Sequence, residues 1–197
     1  MRRRVLLAAV VLAPLAGCGK SRAGLASQSR TNLTDTSSDQ GHLWVGPDGP
    51  LARGFCLTMV SGLSPEAAVK AIGGTISEQV TWPQVVGPGD GEENAARYFL
   101  GVSGFGRWTM LLEDGPGSLG MTEAIAEPLS KGRTVVAYRG NAAGRGTRRL
   151  YERGRLKTEV ADHTETAITF IEKKTRLKLS GAILAKKDFL LVTVPKV

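Results

Sequence analysis

Gly54-Phe55-Cys56-Leu57-Thr58-Met59-Val60, followed at once by Gly62-Leu63-Ser64-Pro65-Glu66, is the stretch on which the fold class turns. Its first half is a short apolar run with aromatic and β-branched members, bounded by glycine, and it reads as a buried strand. Its second half is a helix start, with Ser64 placed to cap, Pro65 at the first helical position and Glu66 in the first turn. The apolar residues Ala68, Val69 and Ile72 then fall at three- and four-residue spacing, and Gly73-Gly74 closes the helix. A strand passing straight into a helix predicts a mixed architecture.

Downstream, Thr75 to Trp82 reads as a further strand, and Pro83 to Asn94 as a loop whose tip carries Glu92-Glu93. Tyr98 to Val102 and Arg107 to Glu113 flank Ser103-Gly104-Phe105-Gly106, the pattern of an antiparallel hairpin. Glycines 101, 104 and 106 lack the order and the following helix of a dinucleotide fingerprint. Thr122 to Glu127 reads as a short helix that Pro128 ends or kinks. Thr134 to Tyr138 is a β-branched strand, and Arg148–Glu152 with Leu156–Val160 forms a second hairpin. Asp162 and Glu165 have the spacing of a capping box for a helix of about ten residues. Ser180 can cap one further turn, and Phe189 to Val194 is a buried extended run. The expected fold is α+β: an antiparallel sheet of five to seven strands with two or three helices packed against it, in a single domain over 41–197.

Upstream of that domain, Met1-Arg2-Arg3-Arg4 precedes an apolar run from Val5 to Ala16, which ends in Leu15-Ala16-Gly17-Cys18. Spanning a bilayer as a helix takes roughly 20 apolar residues, and this run is shorter and contains Pro14. Basic start, apolar middle and a small-residue site before cysteine resemble a lipoprotein signal. That resemblance implies removal of residues 1–17, a lipid on the Cys18 sulfur, and anchoring at the outer face of the cell membrane. Residues 18–40 are then a lipidated cysteine and a Ser/Thr-rich tether with a span of about 25 Å.

Arg2, Arg3 and Arg4 leave with the leader, which takes the formal charge from +8 to +5. Outside a membrane this modest excess fits anionic lipid or an envelope polymer, and no nucleic-acid partner is expected. The basic hairpin Arg145, Arg148, Arg149, Arg153 and Arg155 is the candidate contact for such a surface, against the alternative of a strand edge blunted by charge. With Cys18 lipidated, Cys56 has no disulfide partner and reads as a buried thiol. The two histidines, His42 and His163, lie far apart in sequence at no paired ligand spacing. No metal, cofactor or catalytic residue is therefore expected. Gly101-Val102-Ser103-Gly104 also lacks the spacing of a nucleophile elbow.

Several short motifs in order resemble a bacterial family known only as a domain of unknown function (sixty-four sixty-one). They are Gly54-Phe55-Cys56-Leu57-Thr58, Gly62-Leu63-Ser64-Pro65-Glu66, Trp108-Thr109, Ser130-Lys131-Gly132, Gly154-Arg155-Leu156 and Val192-Thr193-Val194-Pro195. The resemblance spans Trp44 to Val197 and implies no activity. The expected function is a membrane-anchored lipoprotein with a non-enzymatic binding domain. The alternatives are an apolar-ligand carrier, marked by a cavity between sheet and helices, and an envelope-polymer hydrolase, marked by facing acids of raised pKa.

Overall fold

The computed structural model describes residues 42–86 and 96–197. The expected leader, Cys18, the tether and the acidic tip Glu92-Glu93 lie outside the described residues.

Among the described residues, eight strands form one antiparallel sheet: β1 (Gly54–Ser61), β2 (Thr75–Thr81), β3 (Arg97–Phe105), β4 (Trp108–Asp114), β5 (Thr134–Asn141), β6 (Arg145–Glu152), β7 (Arg155–His163) and β8 (Asp188–Pro195). Five helices join them: α1 (Pro65–Ala71), α2 (Trp82–Val85), α3 (Glu123–Leu129), α4 (Thr164–Thr175) and α5 (Gly181–Leu184). The expected α+β domain of five to seven strands with two or three helices is corrected on both counts. The order β2-β8-β3-β4-β1-β5-β6-β7 shows why. The closing run enters between β2 and β3, so β2, exposed at every residue but Val80, gains its partner from a segment more than a hundred residues away. Local pattern carries no trace of such a pairing.

The overlooked helix, α2, did leave a signal. Gln84 Oε1 accepts from the Thr81 backbone N–H at 2.9 Å, and a proline stands in the first turn, so Thr81-Trp82-Pro83-Gln84 begins a helix inside the expected loop. The first hairpin is also tighter than expected. Ser103, Gly104 and Phe105 belong to β3, and the chain reverses over Gly106 and Arg107, with Gly106 at φ +61°. Pro128 is accommodated near the end of α3, which runs on to Leu129.

Strand alternation splits the apolar residues of β1 between the two faces of the sheet. Phe55, Leu57 and Met59 pack on the first face with Trp44, Trp82, Ile168, Ile171 and Leu184. Val60 packs on the second with Val69, Leu119, Ile125 and Leu129. The first face is thus covered by the 3-10 turn Leu43–Val45 with α2, α4 and α5, and the second by α1 and α3. Because both faces are covered, β1 is buried along its whole length. Each large side chain removed from water there contributes about 1.5–3 kcal/mol. Trp44 pins the outer layer of the first face: its ring meets Phe55 at a tilt and Trp82 edge-on, and its Nε1 donates to the Leu179 carbonyl at 3.1 Å.

Candidate functional site

At the end of the sheet where β1 begins and β5 turns into β6, three segments surround a cleft of about 560 Å³. One is the run from His42 to Ala52, the second is the turn Asn141–Gly144, and the third is the junction of β7 and α4 at residues 163–166. The turn is shaped by Asn141, whose Oδ1 accepts from the backbone N–H groups of Ala143 and Arg145 at 3.0 and 3.2 Å. The Gly144 carbonyl accepts from Thr164 N at 2.9 Å, which ties the turn to the start of α4.

Beneath the cleft, the Tyr138 hydroxyl and Thr164 Oγ1 are 2.9 Å apart. Tyr138 is fully buried, and its ring passes between Gly140 and Gly146. A methyl group at Gly140 would lie 2.7 Å from that ring, so the tyrosine requires glycine there, whereas at Gly146 a methyl group would first meet the Arg139 carbonyl oxygen at 1.9 Å, with the Tyr138 oxygen at 2.8 Å. Burial pushes the Tyr138 phenol above its usual range, opposed by the Thr164 hydroxyl, so it stays protonated and available as a donor. Replacing Tyr138 with phenylalanine leaves Thr164 without this partner. The expected cost is about 1 kcal/mol in a urea melt.

The chain's two histidines, distant in sequence, both line this cleft. His42 Nε2 lies 3.4 Å from Glu172 Oε2. Glu172 is itself buried, and its Oε1 accepts from Leu179 N at 2.7 Å. His163 occupies the N-cap position of α4, and its side chain makes no capping hydrogen bond. The expected capping box is therefore corrected: Asp162 stays in β7, where it pairs with Arg148, and α4 starts two residues later.

The five arginines of the basic hairpin do not share one surface. Arg148 and Arg149 are consecutive in β6 and point to opposite faces. Arg148 is 8% exposed, donates to Asp162 Oδ2 at 2.6 Å and stacks 3.7 Å above the Phe170 ring. On the other face Arg149 donates to Glu159 Oε2 and to the Met121 carbonyl, and lies within 3.2 Å of the Tyr151 hydroxyl. Arg145, Arg153 and Arg155 are exposed. Two of the five charges are thus neutralised inside the fold.

Two acids have raised pKa values, and sequence pattern did not single out either. Burial pushes Glu113 up to about 7, against hydrogen bonds from Leu119 N at 2.7 Å, the Cys56 thiol and Ser118. Burial also raises Asp114, opposed by the Arg53 guanidinium 2.9 Å away. They are neighbours on β4 and face opposite sides of the sheet, so they do not form the facing pair that acid–base hydrolysis of a polymer requires. Cys56 is buried beside Glu113, and burial pushes its thiol far above the ordinary range. An un-ionised thiol in that setting is a poor nucleophile.

Among the described residues, no group of three His, Cys, Asp or Glu side chains could hold a metal ion, and no helix is long and apolar enough to cross a membrane. In comparison with known proteins, a family described as a family of unknown function (DUF6461) matches residues 35–167. No curated protein matches the chain, and no solved structure does.

Proposed function

The chain belongs to the family of unknown function DUF6461, and on that footing we propose that it is a lipid-anchored, extracytoplasmic binding module that takes a small polar ligand in the cleft between His42 and His163. The observation that carries this reading is the convergence of the chain's two histidines on one cleft, floored by Thr164 and walled by backbone of the Asn141–Gly144 turn. Imidazoles donate or accept according to protonation state, and threonine hydroxyls do both, so the lining suits a ligand with several hydrogen-bonding groups. The lipobox ending at Cys18 supports the anchor and the location.

The binding reading, rather than an enzymatic one, draws support from chemistry already described: the acids of raised pKa point away from each other, and the thiol is buried. An apolar carrier finds less support, because the space between sheet and helices is filled by the side chains of two cores.

Two histidines make the test economical. Each gives one ring Cε1–H resonance, so a fragment screen by NMR reads the cleft through two peaks. Polar fragments that bind are expected to shift both peaks together, and His163→Ala to abolish those shifts at His42. Hits that move neither peak while perturbing another region would overturn the assignment.

A further inference from the structure

One short stretch on the outer layer of the first face is unusually rich in cations. Between residues 173 and 187 the sequence holds Lys173, Lys174, Arg176, Lys178, Lys186 and Lys187 and no acid. Three of these are engaged: Lys174 with Glu152 at 2.9 Å, Lys178 with Glu172 at 3.7 Å, and Lys187 with the Gly104 carbonyl at 3.0 Å. Lys173, Arg176 and Lys186 are exposed and form no ion pair among the described residues. Two large apolar side chains stand out on the same layer, Leu43 at 60% exposure and Ile183 at 36%. The 3-10 turn that carries Leu43 and the segment that carries Ile183 are fastened together. Trp44 Nε1 bonds the Leu179 carbonyl, and the Cα–H of Gly181 lies against the Trp44 side chain, where a methyl group would sit 3.7 Å from its Cβ. Because α4, α5 and the 3-10 turn all bury their inner sides on the first face, their exposed residues point away from the sheet into the same half-space.

We infer that Lys173, Arg176 and Lys186, with Leu43 and Ile183, form a surface on which the domain docks against an anionic lipid bilayer. The inference rests on the anchored reading above. Two observations choose lipid over other occupants. Exposed cations on the same layer as exposed apolar side chains match an interface of anionic headgroups over acyl chains. The described residues also begin on this surface: His42 and Leu43 come 24 and 25 residues after Cys18 in the sequence. If residue 18 carries a lipid, the segment that joins it to the domain ends at this surface.

The test uses the mature anchored protein in vesicles of neutral phosphatidylcholine, with or without phosphatidylglycerol. Fluorophores are attached at Ala182→Cys, in α5, and at Lys70→Cys, exposed on α1 across the sheet. Labelling is selective because Cys56 is buried. Nitroxide-headgroup lipid is expected to quench the α5 label in anionic vesicles and to leave the α1 label bright. The triple variant Lys173→Glu, Arg176→Glu, Lys186→Glu is expected to lower the docked population more than about tenfold, with an unchanged melting profile. So is 1 M salt, which shortens the screening length to about 3 Å. Equal quenching of both labels, quenching indifferent to anionic lipid, or an unaffected triple variant would overturn the docking face. Shielding of the α5 label that tracks protein concentration without anionic lipid would instead mark a second copy of the chain. Mass spectrometry of the residue-18 peptide tests the anchor separately. If that thiol is unmodified, the same labels are read on protein added to preformed vesicles.

Discussion

Arg148→Ala is expected to cost about 3–5 kcal/mol of folding stability, because it strands the partner of a buried ion pair. Arg148 and Asp162 are each about one-tenth exposed, with 10% and 11% of their side chains reaching solvent, and their atoms are 2.6 Å apart. Removing the guanidinium leaves the Asp162 carboxylate desolvated with no cation beside it, and also removes the stacking on Phe170. Against a total stability of about 5–15 kcal/mol for a domain of this kind, that loss is a large fraction. Arg148→Glu should be worse, since it sets two carboxylates against each other. The paired variant Arg148→Met, Asp162→Leu separates charge from packing: it is expected to recover most of the loss, because no unpaired charge remains buried. Guanidinium melts of the single and double variants measure this directly. A shift below about 1 kcal/mol for Arg148→Ala would show that the pair behaves like a solvated surface bridge. For the same reason, weaker vesicle binding after charge reversal at Arg148 would report a damaged fold, not a lost lipid contact. The exposed lysines of the α4–α5 segment are the cleaner probes.

The second large effect depends on pH. Glu113 is 5% exposed and has a folded-state pKa of about 7, well above the 4.5 expected for an unfolded chain. Below pH 4.5 it is protonated in both states and contributes nothing. As pH rises from 4.5 to 7, the unfolded chain releases the proton while the folded domain keeps it, and stability falls by about 1.4 kcal/mol per pH unit. Above 7 both states are ionised and the penalty, about 3 kcal/mol in all, is complete. Glu113→Gln keeps an acceptor for Leu119 N and a side chain of the same shape, yet has no proton to lose. Its stability is therefore expected to stay flat from this group between pH 5 and 8, with the variant overtaking the parent as pH rises. Parallel pH profiles for the two proteins in urea melts would refute the assignment.

Glu113 also shows where sequence reading stops. Nothing in Leu111-Leu112-Glu113-Asp114 marks one acid as buried, because alternation along a strand assigns faces only once both faces are known to be covered. The cover here is the segment after β4, which folds back so that Leu119 donates to the carboxylate and Gly117 leaves it room. A methyl group at Gly117 would sit 2.4 Å from the Glu113 Cβ. The cleft was hidden for a similar reason. His42 and His163 are more than a hundred residues apart, and only the packing of α4 beside the Trp44 turn brings them to one opening. The basic hairpin was legible as a run of arginines, but not as a set divided between two faces.

Short-range chemistry in the chain was enough for β1, for α1 with its Ser64 cap and for the two hairpins. In each, the decisive contacts or signals lie within a few residues. The strand count, the sheet order, the fate of Asp162 and the meeting of the histidines were settled only by the folded sheet. Each depends on partners from remote parts of the chain: β8 for β2, Arg148 for Asp162, and the Leu179 carbonyl for Trp44. Pairing energies of that kind are absent from local periodicity, because they exist only after loop closure has brought the partners together.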